Sequence, residues 1–167
     1  MISKPIVEKL NKQLKKEFHS AYLYLGMSAW CQEHGYSGSA NWFNLQFEEE
    51  QMHAKKIYQY ILDQGGHIEL LDIKAVKTNY TSLQSCFETS LAHEQSMTEA
   101  FNDLCDIAIK EKDHASYSFL QWFVNEQIEE EATVSDVISK LKMVGDGNGI
   151  FMIDNQLASR TVAGVVE

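Results

Sequence analysis

The chain reads as an all-α protein: a four-helix bundle with one long crossover between its second and third helices and a short fifth helix near the C-terminus. Three features carry this reading. Apolar residues recur at helical spacing almost everywhere. The only proline is Pro5, at the start of the chain. Glycines and capping residues divide the remainder into four long segments, joined by two short links and one long one.

Helix α1 is predicted over about residues 5–33. Pro5 is tolerated in its first turn, where the backbone N–H has no partner to lose, and "EHGYSGS" at 33–39 ends it. Helix α2 follows over about 39–65 and stops at Gly65 and Gly66. Helix α3, about 82–111, opens on the capping pattern "TSLQ" at 81–84. Helix α4, about 114–144, ends at Gly145 and the glycine-rich "GDGNG", and a short α5 is predicted over 153–163. No segment reads as a convincing strand, and no solenoid-like repeat is present. The four long helices each span roughly 40 Å at 1.5 Å per residue. The short links make α1–α2 and α3–α4 antiparallel neighbours. The remaining link, "GHIELLDIKAVKTNYT" at 66–81, can reach roughly 50 Å when extended, enough to run the whole length of the bundle.

Bulk properties narrow the function. The 167 residues suit one domain spanning the chain, and 44% apolar with 23% charged residues is neither disordered nor membranous. No apolar run is long enough to cross a bilayer, and the amphipathic N-terminus lacks a secretory pattern, so a cytoplasmic location is expected. A net charge of −10 argues against nucleic acid or an anionic membrane as partner and is compatible with handling cations. Cys31, Cys86 and Cys105 match no zinc or redox spacing and are expected as free buried thiols.

The chemistry lies on the apolar seams. On α1 the seam reads Leu10, Leu14, Glu17, Ala21, Tyr24, Ser28, and on α2 Phe43, Phe47, Glu50, Ala54, Ile57, Ile61. On α3 it reads Phe87, Leu91, Glu94, Thr98, Phe101, Cys105, and on α4 Leu120, Phe123, Gln127, Glu130, Val134, Val137, Leu141. Each seam is interrupted by a carboxylate near the helix midpoint, so the four fall in one layer. A single such glutamate is ordinarily an edge residue reaching to solvent. Four at one height, with Lys55 and Lys56 off the seam and no basic residue on it, need cations instead. Glu50 and His53, at i and i+3, can reach one ion, and carboxylate with imidazole suits iron, manganese or zinc. On α4, Gln127-x-x-Glu130 stands where a second Glu-x-x-His would complete the dinuclear pattern of such bundles. Glu17, Glu50, Glu94 and Glu130 together balance two divalent ions. Oxidation would leave excess positive charge, which favours loose holding of the product. Glu49, Glu126 and Glu129 each precede a seam position by one residue, and spacing leaves them as either another ion's ligands or a solvated acidic face.

With these residues in place, the chain resembles the bacterial non-haem ferritins over essentially its full length. The resemblance rests on "NKQLKKEFHSAYLYLGMSAWC" in α1, "EEEQMHAKK" in α2, "HEQ" in α3 and "FLQWFVNEQIEEE" in α4. It implies a ferritin-like homo-oligomer of 24 subunits forming a hollow cage, which oxidises Fe(II) with dioxygen at a ferroxidase centre and stores ferric mineral inside. By matching position, one iron falls to Glu17, Glu50 and His53, and a second to Glu50, Glu94 and Glu130, with Gln127 nearby. Glu49, Glu126 and Glu129 match a third iron site. Tyr24 and Trp122 match aromatic residues able to supply an electron, although packing in the core is the plainer role, above all for Trp122. Haem is not expected: Gln51 follows Glu50 and the methionine comes one later, at Met52, which suits an interface or the core. His19, His34, His67, His93 and His114 lie off the seams or near turns and are expected to be structural or surface residues. The apolar tail "LASRTVAGVVE" suits burial at a subunit contact. Two other functions remain: a self-contained di-iron oxidase, or a helical scaffold that binds metal without turnover.

Overall fold

The computed structural model describes residues 2–145 and 147–161. They form α1 (Lys4–Glu33), α2 (Ser37–Asp63), α3 (Leu83–Lys110), α4 (His114–Val144) and α5 (Gly149–Leu157). Among the described residues there is no strand. α1 packs along α2 and α3 along α4, α1 also meets α3, and α5 rests against α2 and α4. The irregular segment after α2 carries the chain from the end of one antiparallel pair to the start of the other.

The core divides into two apolar halves. Leu10 and Leu14 of α1 pack with Ile57 and Ile61 of α2, Phe101 of α3, and Leu120 and Phe123 of α4 in one half. Tyr24, Met27 and Trp30 pack with Phe43, Phe87, Val134, Val137 and Leu141 in the other. Between them lies the layer that contains Glu17, Glu50, Glu94 and Glu130, all buried. The seam pattern is therefore the pattern of the core.

The starts of α3, α5 and α2 differ from the sequence expectation, each for a physical reason. α3 is capped one residue later than "TSLQ" suggested. Ser82 is the N-cap, its Oγ accepting from Ser85 N at 3.0 Å, while Ser85 Oγ accepts from Ser82 N at 3.0 Å. The reciprocal bonds satisfy first-turn donors that would otherwise be orphaned. α5 starts four residues before the predicted 153 and ends at Leu157, because Ile153, Asp154 and Leu157 find buried places there that outweigh the helix cost of Gly149. Positions 162 and 163 of the predicted α5, and residues 162–167 of the apolar tail, lie outside the described residues.

α2 begins at Ser37 rather than 39 because its cap comes from far along the chain. The N-cap residue Tyr36 makes no side-chain cap. Instead the Asp154 carboxylate of α5 accepts from Gly38 N at 3.0 Å, from Ser39 N at 2.7 Å and from Ser39 Oγ at 2.6 Å. A buried carboxylate on a helix N-terminus satisfies free N–H groups and complements the macrodipole. The contact demands glycine: a Cβ at Gly38 would lie 1.8 Å from the Asp154 carbonyl oxygen.

Asp154→Ala is expected to destabilise the fold by about 1–2 kcal/mol, the range for loss of an N-cap. Gly38→Ala should cost at least as much through the clash. Thermal unfolding measures both, and an unchanged midpoint for Asp154→Ala contradicts this role.

Candidate metal centre

The antiparallel pairing of α1 with α2 sets Glu17 beside Glu50 and His53. Donor atoms from these three buried residues lie within 4.8 Å of one another. His53 Nδ1 is 3.8 Å from Glu17 Oε2 and 3.6 Å from Glu50 Oε2. These gaps are too long for good hydrogen bonds. They match an ion between the groups, since ligands each about 2.1 Å from a metal sit roughly 3 to 4.2 Å from one another. Glu50 Oε2 is also buried without a hydrogen-bond partner. An acceptor left bare in a dry interior is costly, and either a cation or a proton shared with Glu17 satisfies it. The donor set fits an ion that takes carboxylate and imidazole.

Glu94 and Glu130 face this triad from α3 and α4 but are held differently. Glu94 accepts from the Tyr24 phenol and, at 3.0 Å, from Gln127 Nε2, which also reaches the Glu94 carbonyl at 3.1 Å. Glu130 accepts from Gln46 Nε2 at 2.8 Å. Glu17 keeps one oxygen on Gln13 Nε2 at 2.7 Å. Gln13 and Gln46 are hydrogen-bond partners of the layer that the seam pattern missed. A signal existed, because each lies four residues before a seam glutamate, one turn away on the same face.

The electrostatics follow from burial. Desolvation raises the Glu17 carboxyl well above its ordinary value, with the Glu50 charge adding to it and His53 opposing. Burial raises Glu50, and the charges of Glu94 and Glu130 raise it further. Burial also raises Glu94, against the bonds from Tyr24 and Gln127 that favour its ionised form. Glu130 is pushed up to about 7 by burial first and then by Glu94. Without a cation the layer therefore holds protons.

The flanking set is placed as expected but does not converge. Among the described residues, only Glu17, Glu50 and His53 bring three donor atoms within that 4.8 Å span; Glu49, Glu126 and Glu129 do not. Glu49 Oε2 is bound by Arg160 Nη2 at 2.6 Å. Sequence could not show this, because Arg160 comes from beyond α5 and 111 positions away. Glu126 is half-buried and Glu129 exposed.

Tyr24 is fully buried and also lies 3.2 Å from Ser90 Oγ. Trp122 departs from the core-packing role: its ring is 38% exposed, stands edge-on to His53 at 5.3 Å and carries Lys56 Nζ 4.1 Å above it. Met52 is exposed and belongs to no core. His93 is structural as expected, with Nε2 2.6 Å from Ser20 Oγ, and His34 stacks on Trp30. The three cysteines are free and buried.

Fold and site together define a four-helix bundle built around a buried carboxylate–histidine group that could hold a metal ion. The ferritin-like domain family matches residues 7–144, and the chain belongs to the ferritin family. It is 42% identical to the bacterial non-heme ferritin of Staphylococcus saprophyticus over 162 residues, covering 96% of this chain and 97% of that protein. The Staphylococcus aureus bacterial non-heme ferritin is 41% identical, with 96% and 98% covered. Among solved structures, an engineered closed form of the Archaeoglobus fulgidus ferritin superposes with a TM-score of 0.94 at 38% identity, covering 96% of this chain and 99% of that one. A humanized archaeal ferritin superposes with a TM-score of 0.96 at 38% identity, covering 98% and 100%. The resemblance read from the sequence is thus confirmed at the level of family and fold.

A pH dependence follows. The folded chain holds the Glu130 proton to about pH 7, whereas the unfolded chain releases it near 4.5. Between those values the folded state binds more protons, so metal-free stability falls as pH rises through this window. Glu130→Gln should flatten that part of the slope, and saturating divalent metal should reverse it. Melting temperatures between pH 4.5 and 8 test this, and a metal-free protein that gains stability through that window in wild type relative to Glu130→Gln contradicts it.

Proposed function

We propose that this chain is an iron-storage protein that oxidises Fe(II) with dioxygen at the buried carboxylate layer and lays down ferric mineral inside a hollow homo-oligomer. The observation that carries the reading is the buried Glu17–Glu50–His53 triad, with one Glu50 oxygen left without a partner. Membership of the ferritin family supplies iron as the ion.

In this proposal the first Fe(II) is taken by Glu17, Glu50 and His53, whose donors already stand at ligand spacing. The second is taken by Glu50, Glu94 and Glu130. It binds more weakly, because Glu94 must turn from Tyr24 and Gln127, and Glu130 from Gln46. Two divalent ions match the four carboxylates in charge. Each iron gives one electron to dioxygen, and the resulting trivalent pair exceeds the charge of the site. The neutral Gln127 amide adds no anion to hold it, so the product moves on to the store. Tyr24, hydrogen-bonded to Glu94, orients that ligand and is placed to supply a further electron, with Trp122 beside His53 as a second source. Glu49, Glu126 and Glu129 serve as a third, weaker iron station on the way out. No haem takes part.

Assembly into a cage, of 24 subunits by resemblance, is supported by apolar side chains left bare on one subunit. Leu70 in the crossover and Phe151 and Met152 on α5 are each more than 70% exposed. A cytoplasmic address is part of the same proposal; no helix of the described residues is long and apolar enough to cross a membrane. The di-iron oxidase alternative would need a substrate chamber beside the carboxylates. Two cavities among the described residues, of about 270 and 290 Å³, lie away from the carboxylates, against the crossover and beneath α5.

Glu50→Ala and His53→Ala are each expected to slow the first turnover of Fe(II) oxidation by about a hundredfold, and Tyr24→Phe by about tenfold as a partner of a ligand. Stopped-flow ferric absorbance measures this. Wild-type rates in Glu50→Ala contradict the proposal.

A further inference from the structure

We propose that Arg160 is a displaceable counter-cation that sets the cation affinity of the Glu49–Glu126–Glu129 flank; this rests on the function proposed above and concerns a residue that plays no part in the buried centre. The guanidinium donates from Nη2 to Glu49 Oε2 at 2.6 Å and lies 4.6 Å above the Trp42 ring, with Nη1 3.5 Å from the Trp42 carbonyl. The two charged side chains are 22% and 12% exposed, so solvent screens them less than an ordinary surface pair.

The guanidinium is delivered by a braced segment. Asp154 fixes α5 to the N-terminus of α2, and Ser159 N and Arg160 N bond back to Gln156 O and Leu157 O, both at 3.2 Å. Arginine suits the place because its planar, permanently charged group can bind a carboxylate and stack on indole at once. The Glu49 carboxylate therefore faces Arg160, and the three flank carboxylates do not converge on one point. They nonetheless share a field, since the charges of Glu129 and Glu49 both act on Glu126.

A divalent cation on this flank must take Glu49 from Arg160. The competition weakens the station and suits it to passing ions on. By reciprocity, a cation bound there frees Arg160 and loosens the segment after α5 from α2.

Zn(II) is the probe, being redox-inert and bound by carboxylate and imidazole. Calorimetric titration of the assembled wild-type protein should show a stronger uptake at the buried centre, in two graded steps, and a weaker one at the flank. Arg160→Gln should tighten the weaker uptake by about tenfold and leave the stronger one in place, as expected for removal of one nearby like charge. Arg160→Lys, which keeps charge but not the fork, should fall between. Glu49→Gln should abolish the weaker uptake, and adding Arg160→Gln to it should restore nothing. Amide hydrogen exchange at residues 158–161 should quicken as the weaker site fills in wild type, and not in Glu49→Gln. A weaker uptake that is unmoved, loosened or missing in Arg160→Gln overturns the inference and leaves Arg160 a structural strap. Loss of the stronger uptake in wild type would instead overturn the buried centre itself.

Discussion

Four carboxylates in one dry layer are the constraint on which the rest of the structure depends. Glu17, Glu50, Glu94 and Glu130 lie between two apolar halves with His53 beside them and no lysine or arginine among the described buried residues. Buried charge of one sign is strongly unfavourable unless it is neutralised or bonded. Without a cation the chain does both in part. Raised carboxyl pKa values let it hold protons, and Gln13, Gln46, Gln127 and Tyr24 donate to the oxygens that remain. Two acceptors in the layer, Glu50 Oε2 and Gln46 Oε1, are left over. Replacing buried ionic groups by apolar residues of similar volume is often neutral or stabilising, and the proposed ion-binding role accounts for carboxylates in this layer.

The layer is asymmetric, and the asymmetry has consequences for traffic. On the α1–α2 side the donors stand apart at ligand spacing, ready for an ion. On the α3–α4 side amide and phenol groups occupy the carboxylates, so an ion there must exchange for hydrogen bonds. In the proposed function a graded pair of this kind fills in order and releases its second occupant more readily. Outside it, α5 braces the start of α2 through Asp154, and Arg160 just beyond it is paired with Glu49.

Much of this was legible because it rests on local spacing. The seams placed Glu17, Glu50, His53, Glu94, Gln127 and Glu130 in the interior, and all six are buried. The long helices were recovered to within about two residues, the usual uncertainty at helix ends. What stayed hidden depends on contacts between segments distant in sequence. The cap on α2 comes from Asp154, so α2 begins earlier than its own residues suggest. The same packing moved α5 toward the glycine-rich turn, where propensity argues against a helix. Glu49 looked free until Arg160 folded onto it. Trp122 could not be told from core by its type alone, because half-exposed indole over Lys56 has no local signature.

The central claim is that the buried layer feeds iron into a store rather than serving as a fixed cofactor. Its most direct test is to load the metal-free protein with excess Fe(II) in air, separate the products by gel filtration, and measure iron per chain in each fraction. Iron far beyond what the layer and its flank can bind, eluting with a very large particle, is the result this account predicts. A pair of irons per chain on a small particle would contradict it and point to a di-iron enzyme or a metal-binding scaffold.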